Sequence, residues 1–381
     1  MELKDYRLIM DEIDDQLVEL FRRRMELSAE IASYKKERGL PILDAGRERD
    51  KMKQLRAKVP QELRNYTSVL YSSLFELSRS CQSRQMQQYT DLNHRISHAI
   101  DNTPNLFPQD VTVGICGAEG TLAQTACEKL FRIPFIMYFN NLEGVFSAIE
   151  KGLCRYAVIP VDNGTEDSFK KICNLMIRRN CSIVRSVRLK ADHNLLARPS
   201  TRLEDVKEIV AHEQAINQCA DYLQKLGADV KITVCENMTI AAKQVAQSQR
   251  HDIAAICTRT CAELYGLRSL HSSIQDRENN DTRFLCISKN LEIYPGADRT
   301  SIMLTLPHKP GALYKLLARF YALGINITRL ESRPIPGRDL EIQFHFDLET
   351  SIYSQEFIQI ICELSASCEE FFYLGSYSEV V

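Results

Sequence analysis

An arginine stands where a leucine would be expected. Met10, Ile13, Leu17, Leu20, Leu27, Ile31 and Tyr34 form a heptad seam near the N-terminus, and the position between Leu20 and Leu27 is Arg24. A guanidinium on an apolar stripe snorkels to solvent, pairs with an acidic neighbour, or meets an anion carried by a ligand. Arg7 and Lys35 lie beside the same seam, and three cations along one stripe favour the third reading. A doubly negative small molecule would supply the missing charge. Arg7 and Arg24 are 17 residues apart, which is about 25 Å at 1.5 Å per helical residue. One small ligand cannot touch both on one chain, so a shared ligand needs a second copy. The apolar seam asks for the same partner. A homo-oligomer, dimer or tetramer, follows. Further along, Ser78 and Gln82 stand one helical turn apart beside Leu63, Tyr66, Leu70, Leu74 and Leu77. Asp44 is suited to cap the helix that carries Arg47 and Glu48.

Other residues suited to chemistry come later in the chain. Gly114-Ile115-Cys116-Gly117-Ala118-Glu119-Gly120-Thr121 follows a strand and opens a helix. Such a loop is either a tight turn or an anion cradle on helix amides. A histidine side chain titrates near neutrality, so His193 and His212 read either as acid–base groups or as cleft-wall histidines held by backbone. Pro307-His308-Lys309-Pro310-Gly311-Ala312-Leu313 joins a strand to a helix start whose amides could take a carboxylate.

The elements that must position these residues fall into segments. Residues 1–88 read as three helices, punctuated at Gly39-Leu40-Pro41 and Val59-Pro60. Residues 89–110 have weak periodicity and two prolines and read as a linker. From 111 to 290, short apolar strands such as Val111–Ile115, Tyr156–Pro160 and Ile253–Ile256 alternate with helical stretches, an α/β pattern with mainly parallel strands. From 299 to 376 the order β-α-β-β-α-β suggests a ferredoxin-like α+β unit. The net charge of -2 offers no field for nucleic acid or an anionic membrane. No apolar run reaches the roughly 18 residues of a membrane span. The 13 cysteines show no C-x-x-C pair and no zinc spacing, which fits buried thiols in a reducing compartment, with no metal and a cytoplasmic location.

On these residues, the first segment resembles the all-helical chorismate mutases of the AroQ class. Arg7, Arg24, Lys35, Asp44, Arg47, Glu48, Ser78 and Gln82 all fall on that family's pattern. The resemblance implies an intertwined dimer in which Arg7 crosses into the partner's site. Arg7 and Arg24 would clamp the two carboxylates of chorismate, Lys35 and Gln82 would hydrogen-bond the ether oxygen, and Glu48 would hold the ring hydroxyl. This pericyclic rearrangement needs no nucleophile and no cofactor.

The central segment resembles the prephenate dehydratases through Asn280-x-Thr282-Arg283-Phe284, close after Ile274-Gln275-Asp276. Pro160-Val161-Asp162-Asn163, His193-Asn194-Leu195-Leu196, His212-x-Gln214, Gln218-Cys219 and Ala262-Glu263-Leu264-Tyr265-Gly266-Leu267 agree in order and spacing. The implied fold is two α/β lobes around a cleft, like periplasmic binding proteins. Thr282 would assist the leaving hydroxyl of prephenate, with Asn163, Gln218, His212 and Arg283 as substrate-binding residues. The chain departs from the family's usual serines at Ala123, Gly164 and Ala211, from its glutamate at Asp162 and from a common tyrosine at Leu122. These losses leave open a mutase whose dehydratase-like domain is weak or inactive and acts as a sensor. The C-terminal segment looks like an ACT domain of the type fused to prephenate dehydratases. Gly311-Ala312-Leu313, Asn326 and Glu331-Ser332-Arg333-Pro334 are the residues that imply L-phenylalanine binding and feedback inhibition.

Overall fold

The computed structural model of the chain describes residues 2–85, 91–161, 166–190, 192–227, 229–276, 281–335, 337–338 and 341–380. Three helices lead: α1 (Leu3–Glu37), α2 (Ala45–Ala57) and α3 (Arg64–Gln85). No Gly or Pro interrupts α1, and it stops where Gly39 takes a left-handed conformation, φ +62°. Leu40 N–H then reaches back to the Lys35 carbonyl at 2.9 Å, satisfying the open end of the helix. Asp44 caps α2, its carboxylate accepting from Arg47 N–H at 3.0 Å.

Residues 91–102, expected to be part of a linker, form helix α4 (Asp91–Asn102). Leu92, Ile96 and Ala99 recur at spacings of four and three and are buried in the C-terminal core with Phe346 and Phe357. The two prolines of this stretch, Pro104 and Pro108, lie beyond the helix end. The periodicity was short, and its partner surface lies some 250 residues away in sequence.

A first lobe is built from β1 (Asp110–Cys116), α5 (Leu122–Leu130), β2 (Ile133–Phe139), α6 (Leu142–Glu150), β3 (Tyr156–Pro160), α7 (Glu166–Arg179) and β4 (Ser182–Lys190). The chain crosses to a second lobe of β5 (Asn194–Ala197), β6 (Glu208–His212), α8 (Glu213–Gln218), α9 (Ala220–Leu226), β7 (Lys231–Cys235), α10 (Met238–Gln247), β8 (Ile253–Cys257), α11 (Arg259–Tyr265) and β9 (Arg268–His271). It returns through β10 (Asp281–Ser288), which inserts antiparallel between β3 and β4. The two crossings are tied together, with Ile274 N–H on the His193 carbonyl at 2.9 Å.

The C-terminal unit follows: β11 (Arg299–Leu306), α12 (Ala312–Ala322), β12 (Asn326–Pro334), β13 (Ile342–Glu349), α13 (Gln355–Ser367) and β14 (Phe371–Val380). Its strands are ordered β12-β13-β11-β14, and β14 then pairs with β4 to make one nine-stranded sheet that continues β4-β10-β3-β1-β2. The boundary expected at 376 therefore falls inside a strand: Ser378, Glu379 and Val380 pair in parallel with Arg185, Ser186 and Val187. Gly375, φ +134°, makes this junction possible, because a Cβ there would lie 2.3 Å from the Ile183 carbonyl oxygen. The second lobe keeps its own sheet, β7-β6-β8-β5-β9.

Candidate functional site

Arg24, Lys35, Asp44, Arg47, Glu48, Ser78 and Gln82 converge on one cleft of about 790 Å³ between α1, α2 and α3. Arg24 Nη1 donates to the Leu74 carbonyl at 2.9 Å and to the Ser78 hydroxyl, with its guanidinium 5.8 Å from the Phe75 ring centre. Lys35 Nζ donates to the Ile42 carbonyl at 2.6 Å and to Gln82 Oε1 at 3.2 Å. Neither cation meets a carboxylate among the described residues. Burial pushes the Arg24 pKa down, opposed by Tyr71 and Glu48. A half-buried guanidinium held only by neutral oxygens is a receptor for an anion.

Glu48 is paired instead with Arg79, a cleft residue that sequence reasoning missed. Its position between Ser78 and Gln82 on α3 was the available signal. Arg7 is exposed on α1 and lies outside this cleft. Since α1 is one unbroken helix, the separation of Arg7 from Arg24 stands as the spacing requires.

In the α/β part, Thr282 is the second residue of β10, opposite Leu189, and the neighbouring Arg283 carbonyl accepts from Val161 N–H at 2.9 Å. That places Thr282 at the carboxyl end of β3, where ligands of open α/β sheets bind. Asn163, Asp162, Gly164 and Asn280 lie outside the described residues. Gln218 Oε1 is 2.6 Å from His193 Nε2, and burial lowers the His193 pKa despite that bond and nearby Asp192. His212 caps α8, its Nδ1 accepting from Gln214 N–H at 3.3 Å, so one ring nitrogen is committed to the backbone. The glycine loop is a docking turn. Gly120 N–H donates to Gln124 Oε1 at 2.8 Å, and its carbonyl accepts from Thr258 of the second lobe at 3.3 Å.

Arg283 does not reach the substrate side. Adjacent strand residues point to opposite faces of a sheet. Phe284 and Cys286 pack with α5 and Thr282 shares their face, whereas Arg283 shares the opposite face with Leu285 and Ile287. There Nη1 donates to Asp347 Oδ2 at 2.6 Å, Nη2 to the Tyr377 hydroxyl at 2.6 Å, and Nε lies 3.1 Å from Glu379. The expected substrate ligand is a buried ion-network residue. Ala123 and Ala211, two positions of missing hydroxyls, are packed in apolar clusters.

The family model for chorismate mutase type II matches residues 6–83, and that for prephenate dehydratase matches residues 113–292. A bifunctional chorismate mutase/prephenate dehydratase of Pseudomonas aeruginosa is 30% identical over 87% of this chain and 86% of its own length. The chain belongs to the bifunctional chorismate mutase/prephenate dehydratase family. An Arabidopsis thaliana chloroplastic arogenate dehydratase/prephenate dehydratase 1 is 36% identical over 73% of this chain and 71% of its own. The crystal structure of an Arthrobacter aurescens prephenate dehydratase with L-Phe has a TM-score of 0.63 and 25% identity, covering 70% of this chain and 90% of that one.

In this member of the family, the expected effector residues divide between two faces of β12. Ser332 and Pro334 are exposed, as is Asn326, which donates to Glu349 at 2.8 Å. Glu331 and Arg333 turn inward, ion-paired at 2.5 Å. Gly311, φ +81°, starts α12 with Ala312 and Leu313.

Proposed function

We propose that the helical cleft rearranges chorismate to prephenate and that the two-lobed cleft removes CO2 and hydroxide from prephenate, giving phenylpyruvate for phenylalanine synthesis. One observation carries the first step: Arg24 and Lys35 converge on one cleft with only neutral partners. Chorismate is a dicarboxylate, and Arg24 of one chain with Arg7 of the partner would hold its two charges. Lys35 and Gln82 would face the ether oxygen as it gains charge, stabilising the transition state more than the ground state. Asp44, Arg47, Glu48 and Ser78 complete the wall. The seam residues Met10 to Tyr34 are 37% to 63% exposed in a single chain, which supports an intertwined homodimer.

For the second step, Thr282 donates to or protonates the leaving hydroxyl, while Gln218, Asn163 and His212 orient the substrate. Aromatisation of the ring drives it. The C-terminal unit, in this reading a ferredoxin-like ACT domain, binds L-phenylalanine across paired copies at Gly311-Ala312-Leu313 and the exposed side of β12. All 13 cysteines are free thiols, which fits a reducing compartment such as the cytoplasm. Among the described residues no helix is long and apolar enough to cross a membrane.

The alternative, a mutase carrying an inactive dehydratase-like sensor, rests on the missing hydroxyls. The apolar packing of Ala123 and Ala211 argues against it. The purified chain given chorismate, prephenate and arogenate in turn decides between them. Phenylpyruvate formed from prephenate is the expected result. Turnover of arogenate alone would move the second substrate to the amino analogue, and turnover of neither would favour the sensor.

A further inference from the structure

Thr282 and Arg283 are consecutive, yet they face different domains. Thr282 opens toward the cleft, while Arg283 is 5% exposed on the far side of the same strand. Among the described residues, every charged partner of Arg283 comes from the C-terminal unit: Asp347 on β13 and Glu379 on β14, with the Tyr377 hydroxyl beside them. The network extends further. Asp347 accepts from Ser301 on β11, whose hydroxyl is 2.7 Å from that of Tyr377. Glu379 also holds Arg188 at 3.0 Å and Ser186 at 3.1 Å on β4. A buried guanidinium bound by two carboxylates tolerates little displacement, because losing a partner strands a charge away from water.

A second path leaves the same network. His345 Nε2 lies 3.5 Å from Asp347, and its ring meets Phe169 of α7 edge-on at 4.8 Å. Arg329 of β12 stacks over the Phe169 ring at 4.0 Å, and Glu331 clamps both Arg329 and Arg333. The inward half of the Glu331-Ser332-Arg333-Pro334 motif thus rests on the helix that follows Asn163 in sequence, while its outward half faces solvent.

We propose that Arg283 is a positioning residue that sets the placement of Thr282 according to the position of the C-terminal unit, and that Phe169 does the same for α7. Movement of β12 and β13 when the effector binds shifts Asp347 and the Arg329–Phe169 stack, and through them two elements of the first-lobe side of the dehydratase cleft. This deepens the proposed function and rests on its assignment of the C-terminal unit as a phenylalanine sensor.

The test uses the full chain with Asp347→Asn, Tyr377→Phe and Phe169→Leu, following both activities, phenylalanine inhibition and calorimetric phenylalanine binding. Asp347→Asn should lower dehydratase kcat at least tenfold with KM within threefold and mutase turnover unchanged. Tyr377→Phe and Phe169→Leu, the milder changes, should keep phenylalanine affinity within twofold yet raise the half-inhibiting concentration at least fivefold. A network that serves stability alone would lower the melting temperature and leave the kcat–KM split and the inhibition curve within twofold of wild type, which overturns the proposal. Failure of the sensor assignment shows separately, in the wild type: a chain that binds no phenylalanine removes that assignment and the proposal with it.

Discussion

At the residue scale the helical cleft is defined by what its cations lack. Arg24 and Lys35 are held by carbonyl, hydroxyl and amide oxygens, leaving their charge for a ligand. Arg24→Ala should therefore cost mutase kcat/KM at least ~100-fold, about 3 kcal/mol of transition-state stabilisation, with the elution volume in size-exclusion chromatography equal to that of wild type. Unchanged turnover would remove Arg24 from the site. Lys35→Ala should lower kcat more than it raises KM, since in the proposed arrangement its bond to the ether oxygen strengthens as charge develops. Thr282→Val keeps the β-branched shape and deletes the hydroxyl. Dehydratase kcat should fall at least about tenfold, while chorismate turnover measured on the same sample stays level.

At the scale of elements, the junction between β14 and β4 ties the C-terminal unit to the first lobe. Gly375→Ala would drive a methyl into the Ile183 backbone at a positive φ. A cost of roughly 1–3 kcal/mol or more is expected, seen as a lower urea midpoint for the α/β part. Acid should act on the same region. His193 and His345 are both held below 6.5 by burial, so the unfolded chain takes up protons before the folded one. Stability then falls as pH drops through that value, by at most about 1.4 kcal/mol per pH unit for each histidine. Burial raises the Asp347 pKa, but His345, Arg283 and Ser301 hold it below 3.8, so its contribution is lost only at more acidic pH. Melting temperature should decline from pH 7.5 to 5.5, and His345→Gln should flatten that slope; an unchanged slope would exclude His345. The helices and the element order of the C-terminal unit were legible because their periodicities are local. The role of Arg283 was also legible in principle, since alternation along a strand forbids it the face of Thr282. The burial of α4 was not, because its amphipathic stripe is brief and its partner surface distant. Arg79 was overlooked because a charge on an exposed helix face is ordinary until α2 brings Glu48 against it.

At the scale of the molecule, the proposed arrangement divides each mutase site between two chains. Arg7 lies far along α1 from Arg24, and the seam between them is uncovered. If two chains share each site, Arg7→Ala and Arg24→Ala damage the same site from opposite subunits. A mixed dimer then carries one site with both defects and one with none. Each variant alone should be nearly inactive toward chorismate. After the two are mixed, dissociated and reassociated at equal concentration, about a quarter of wild-type activity should return, because half of the dimers are mixed and each holds one intact site. Activity that stays at the sum of the two parents would contradict a site shared between chains.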